Sequence, residues 1–122
     1  MRESRYWILS LVAAACLVVL LGTHLFLMHL DTLLAYLGMA NPDPLDYGAV
    51  MARGRSGGWV GAYILLLAFS LYHGLYGLRS VLSEVVSPPG QRMLTWAVIA
   101  VGFIAFTWGT YVVIKSSLMG GV

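Results

Sequence analysis

The chain has 122 residues, of which 60% are hydrophobic and 10% charged, and its net charge of +2 is spread over seven basic and five acidic residues. A soluble domain of this size could not hide so much apolar surface, so the composition points to a membrane protein of one domain, 1–122. The absence of any basic run excludes a nucleic-acid binder, and the single cysteine, Cys16, excludes a disulfide framework or a zinc-ligand spacing.

The first apolar stretch runs from about Tyr6 to His29. That is enough to cross a hydrocarbon core of about 30 Å, which takes roughly 20 helical residues. Its start has the look of a signal peptide, and Ala13-Ala-Ala-Cys16 that of a lipoprotein cleavage site. The apolar run nevertheless continues through Leu27, past any cleavage point, so a retained membrane helix is the expectation. Cys16 inside it reads as a small buried hydrophobe.

The connection from Leu30 to Gly58 is long. Asn41-Pro-Asp-Pro44 signals a turn, because proline fixes its own φ and restricts the residue before it. Asp46 to Arg55 is polar with Tyr47, Val50 and Met51 interspersed, the pattern of a short surface helix, and Ser56-Gly-Gly58 leads into the next span.

The second span is Trp59 to Leu82 and the third Leu94 to Ile114, with Ser87-Pro-Pro-Gly90 forcing a stop between them. Lipid cannot satisfy unpaired backbone groups, and three segments are too few for a barrel, so all three must be helices. The predicted fold is an all-α membrane protein with three transmembrane helices, up-down-up, spans two and three being antiparallel neighbours. Tyr6, Trp7, Trp59, Tyr63 and Tyr111 fall near span ends, as an interfacial aromatic belt requires. Gly102, Ala105 and Gly109 read as positions where helix backbones approach closely. Arg2, Arg5, Arg79 and Arg92 lie on one side and Arg53, Arg55 and Lys115 on the other, so the positive-inside bias favours a cytoplasmic N-terminus in the cell's inner (plasma) membrane.

The histidines carry the functional signal. His73 sits deep in the second span, within Leu71-Tyr-His-Gly-Leu-Tyr-Gly-Leu-Arg79. An imidazole at that depth is costly and marks a functional site by default. Gly74 and Gly77 remove bulk beside it, and Arg79 adds a positive charge about 9 Å further along the helix. An axial nitrogen, room for a flat macrocycle and a counter-charge for a propionate are what a b-type haem needs.

His24 lies 18 residues beyond Tyr6, and His73 lies 14 beyond Trp59. At the helical rise the two rings therefore differ in depth by roughly 15 to 20 Å. One iron needs both axial nitrogens about 2 Å away, so His24 and His73 cannot share one. Either one alone is a ligand, or each binds a separate haem whose second histidine comes from another chain. His29, about 140° round the helix from His24, sits at the water boundary. It reads first as a solvated interfacial histidine, and second as a propionate contact or the alternative outer ligand.

The stretch Ala68-Phe-Ser-Leu-Tyr-His-Gly-Leu-Tyr-Gly-Leu-Arg-Ser-Val-Leu-Ser-Glu84 resembles the His-Gly-x-x-Gly-Leu-Arg signature of the small membrane anchors of succinate dehydrogenase and fumarate reductase, complex II. Leu21-Gly-Thr-His-Leu-Phe-Leu-Met-His-Leu30 is similar to the Gly-His-Leu-type motif of the two-haem members, and Asp46-Tyr47 and the Ser-Pro-Pro-Gly turn fall where that family has comparable elements. The resemblance covers most of the chain from Gly22 onward. It implies that His73 and His24 are haem b ligands. It also implies a non-catalytic anchor that docks a flavoprotein subunit, an iron–sulfur subunit and a second membrane anchor subunit, with a quinone bound near the cytoplasmic end.

By the same resemblance, Glu84 takes the position of an acidic residue that helps form the quinone site in one-haem relatives, with Arg79 nearby. Val85 stands where those relatives have a tyrosine, and Leu11 to Ala14 stand where the family often has an Arg-x-Ser-Gly element. These departures leave open whether this chain or its partner anchor supplies the quinone ligands. Two other readings stay open: a haem-free structural anchor, and the b-type cytochrome subunit of a different membrane oxidoreductase.

Overall fold

The computed structural model describes residues 2–39 and 45–119. The predicted turn at Asn41-Pro-Asp-Pro44 lies outside the described residues. Five helices follow in order: α1 Arg2–Met28, α2 Leu30–Tyr36, α3 Tyr47–Arg55, α4 Gly57–Val85 and α5 Pro88–Met119, with no strand among the described residues. Three of them, over Ser4–Met28, Gly57–Val85 and Pro88–Met119, are long and apolar enough to cross a membrane. The protein is thus all-α with three membrane helices running up, down and up. At 1.5 Å per residue, the 29-residue α4 and 32-residue α5 reach about 44 and 48 Å, so each projects beyond a 30 Å core.

Local sequence sets the breaks. α2 is a bent continuation of α1, because His29 N–H still donates to Leu25 O and Leu33 N–H to His29 O across the kink. Gly38 ends α2 at φ +72°, and Met39 N–H donates back to Leu34 O at 2.9 Å, a left-handed C-terminal cap that favours glycine. α3 is the expected short helix. Asp46 caps it by accepting from Gly48 N–H at 3.0 Å, and Arg53 and Arg55 occupy its last turn, opposite charges matched to opposite helix ends. The predicted stop is also present: α4 ends at Val85, and two residues later Pro88 opens α5, at a helix start where its missing N–H costs nothing.

α4 is the middle helix. It packs on α1 along one side and on α5 along another, while α1 and α5 do not approach each other and α3 lies against both α4 and α5. The α4–α5 seam is closed by the glycines singled out in the sequence. A methyl group added at Gly102 would sit 2.8 Å from Leu75 Cδ1, and one added at Gly109 2.6 Å from Leu67 Cδ2. A ladder of polar contacts fastens the turn end of the same seam: Arg79 Nε donates to Thr95 Oγ1, Thr95 Oγ1 to Gln91 O, and Gln91 Nε2 to Ser83 O.

An open arrangement of this kind buries little. Among the described residues only Ala13, at 2% exposure, and Ser10, at 6%, are buried. The accessible surface is 8890 Å², against about 6,400 Å² for a compact soluble monomer of this mass. Much of the surplus is apolar side chain, as helices that face lipid require.

Candidate functional site

Ser10 and His73 meet where α1 crosses α4. The His73 Nδ1 lies 3.1 Å from the Ser10 carbonyl oxygen and 3.2 Å from its hydroxyl. A carbonyl can only accept, so Nδ1 carries the ring hydrogen and Nε2 keeps its lone pair. Nε2 makes no hydrogen bond among the described residues. The adjacent Tyr72 donates its hydroxyl to Tyr6 O at 3.2 Å, one helical turn before Ser10. Consecutive residues of α4 therefore grip successive carbonyls of α1.

The other side of the His73 ring opens outward. His73, Gly74 and Gly77 are all exposed, and a side chain at either glycine would meet nothing within 4 Å. Gly77 is about 40° round the helix from His73 and one turn on, so it continues the flat surface beside the ring. An imidazole with its Nδ1 hydrogen engaged, next to a cleared strip, fits the axial ligand of a haem. Among the described residues no three His, Cys, Asp or Glu side chains converge on a metal position.

Arg79 is placed differently from the expectation of a charge beside the ring. Six residues on from His73 it is about 120° away round the helix, facing α5. Its Nε–H bonds Thr95 at 3.0 Å, and the side chain lines a groove of about 690 Å³ between α4, α5 and the start of α1. Tyr6, Tyr72 and Tyr76 line the same groove, with Ile99 and Phe103 supplying apolar wall. Glu84 does not line it; it is exposed in the last turn of α4.

His24 lies at the opposite end of α1, edge-on to the Tyr63 ring at a centroid distance of 5.8 Å, beside a small cavity also lined by Trp59. Its Nδ1 is buried with no hydrogen-bond partner among the described residues. Fourteen residues separate Ser10 from His24, about 21 Å along α1, so the two imidazoles occupy different depths as the spacing predicts. His29 is exposed at the α1–α2 kink.

Sequence reasoning gave no role to Ser10, Tyr72, Tyr76 or Thr95, and read Tyr63 only as part of the aromatic belt. Depth matching could have found the first. Ser10 is four residues past Tyr6 and His73 about 9 Å from the same boundary, so a polar residue on one helix faces a polar residue on the other.

Residues 3–109 match the family described as succinate dehydrogenase/fumarate reductase transmembrane subunit. The chain belongs to this family. No curated protein and no solved structure matches it. The protein is therefore a membrane subunit of the succinate dehydrogenase/fumarate reductase type, and its three long apolar helices are that subunit's membrane spans.

Proposed function

We propose that this succinate dehydrogenase/fumarate reductase subunit is a haem b-binding anchor in which His73 Nε2 is an axial ligand. The observation that carries the reading is the hydrogen bond of His73 Nδ1 to the Ser10 carbonyl, since imidazoles that bind metals almost always donate their other ring N–H to such an acceptor. A haem iron held by two imidazoles has no open coordination position and passes single electrons. The second imidazole comes from a partner anchor on the open Gly74–Gly77 face. His73 supplies the inner ligand and the glycines leave the macrocycle its space. α1 presses Ser10 against the ring and keeps it from turning.

The α4–α5 groove suits the quinone. Arg79, Tyr72 and Tyr76 present donors at one end for the carbonyl oxygens of a quinone ring, and the apolar wall accepts an isoprenoid tail. Glu84, outside the groove, is left as a surface residue at the same end. In this reading the flavoprotein and iron–sulfur subunits dock where α1 begins and α4 ends, on the cytoplasmic side of the plasma membrane, following the arginines there. His24 is the candidate ligand of a separate outer haem. Its Nδ1 has no acceptor, so it is the less prepared of the two imidazoles.

His73→Ala in the assembled complex is expected to abolish the reduced α-band of the inner haem. Unchanged haem content and potentials would reject the ligand assignment and leave a scaffold. A haem-to-flavin ratio near two supports both histidines as ligands, and a ratio near one supports His73 alone.

A further inference from the structure

We propose that the Ser10 hydroxyl is a positioning group for the His73 imidazole and lowers the reduction potential of the haem it serves. The inference rests on the reading of His73 as an axial ligand. Ser10 is the only serine or threonine between Arg5 and Thr23, and one of two buried residues among those described. A hydroxyl in a membrane helix normally bonds back to the carbonyl four residues earlier, as Thr23 does to Val19 O at 2.7 Å. For Ser10 that carbonyl belongs to Tyr6, and it accepts the Tyr72 hydroxyl instead. The Ser10 oxygen turns to another helix, 3.2 Å from His73 Nδ1.

The same residue also presents its carbonyl at 3.1 Å. Two oxygens of one residue thus converge on one ring nitrogen. The carbonyl is enough to settle which nitrogen carries the hydrogen. The hydroxyl adds a second partial negative charge at that hydrogen, and this makes Nε2 more electron-rich. A more basic axial imidazole favours ferric over ferrous iron, which lowers the potential.

The test is a redox titration of the α-band in the intact, detergent-solubilised complex for wild type, Ser10→Ala, Ser10→Thr and His73→Ala. Ser10→Ala is expected to keep the haem, because the backbone carbonyl remains, and to raise its midpoint potential. Ser10→Thr retains the hydroxyl and should restore the wild-type value. A wild-type potential in haem-loaded Ser10→Ala overturns the proposal, as does an equal shift in Ser10→Ala and Ser10→Thr. If Ser10 served only to hold α1 against α4, its loss would lower thermal stability with no change in potential. Retention of the haem in His73→Ala would instead remove the ligand reading itself, whatever Ser10 does.

Discussion

Which ring nitrogen of His73 faces the neighbouring helix decides what the residue can do. With Nδ1 held by Ser10, the other ring nitrogen is left without a partner among the described residues, on an exposed imidazole that can bond something outside the chain. His24 differs: among the described residues its buried Nδ1 has no hydrogen-bond partner. Arg79 separates two readings that the sequence held together. Were it a propionate partner, its removal would disturb the haem. Facing the α4–α5 groove, it acts on whatever the groove holds. Arg79→Gln is accordingly expected to raise the apparent KM for quinone by about 10- to 100-fold, the loss of one charged hydrogen bond of about 1.5–3 kcal/mol, with the haem spectrum and potential unchanged. Steady-state quinone reduction together with a redox titration checks both halves of that statement.

Among elements, the α4–α5 hairpin is the best determined. Its turn was legible because Pro88 and Pro89 can begin a helix and cannot continue one. Its seam was legible because glycine is the one residue that lets Leu67 and Leu75 sit against the facing backbone. At Gly109 an added methyl group would meet Leu67 Cδ2 at 2.6 Å, so that leucine must shift before any larger side chain is admitted. Gly109→Val should destabilise the packing by about 1–3 kcal/mol, measured as a lower thermal midpoint of the purified complex. Gly74→Ala, on the open strip with nothing within 4 Å, should leave that midpoint unchanged; under the proposed haem reading it should lower haem content, because the added methyl group would meet only the macrocycle. Equal thermal effects at the two glycines would contradict this division of roles. α1 is different: its bend at His29 carries no proline or glycine, and the sequence offered no sign of it.

For the whole molecule, the open arrangement of α1, α4 and α5 leaves almost every side chain touched by something other than this chain. In the proposed reading the exposed Gly74–Gly77 strip is where a partner anchor packs. The arginine distribution favours a cytoplasmic N-terminus, which labelling tests. With Cys16 replaced by alanine, Ser87→Cys should be labelled by a membrane-impermeant maleimide only from the cytoplasmic side, and Ser56→Cys only from the outside; the reverse pattern would invert the topology. Removal of the partner anchor should cost the inner haem, since one histidine supplies one axial bond, and haem content of the subunit purified alone measures this.

Span number, helical state, the α4–α5 turn and the different depths of His24 and His73 were settled by sequence alone. They follow from length, hydropathy and the fixed rise of a helix, which need no knowledge of neighbours. The pairing of Ser10 with His73, the turning of Arg79 toward Thr95 and the lack of any partner for the His24 nitrogen were decided only by tertiary structure. Each depends on the rotation of one helix against another, and in a uniformly apolar span that rotation is set by a few polar and small residues whose partners lie more than sixty positions away in the case of Ser10 and His73.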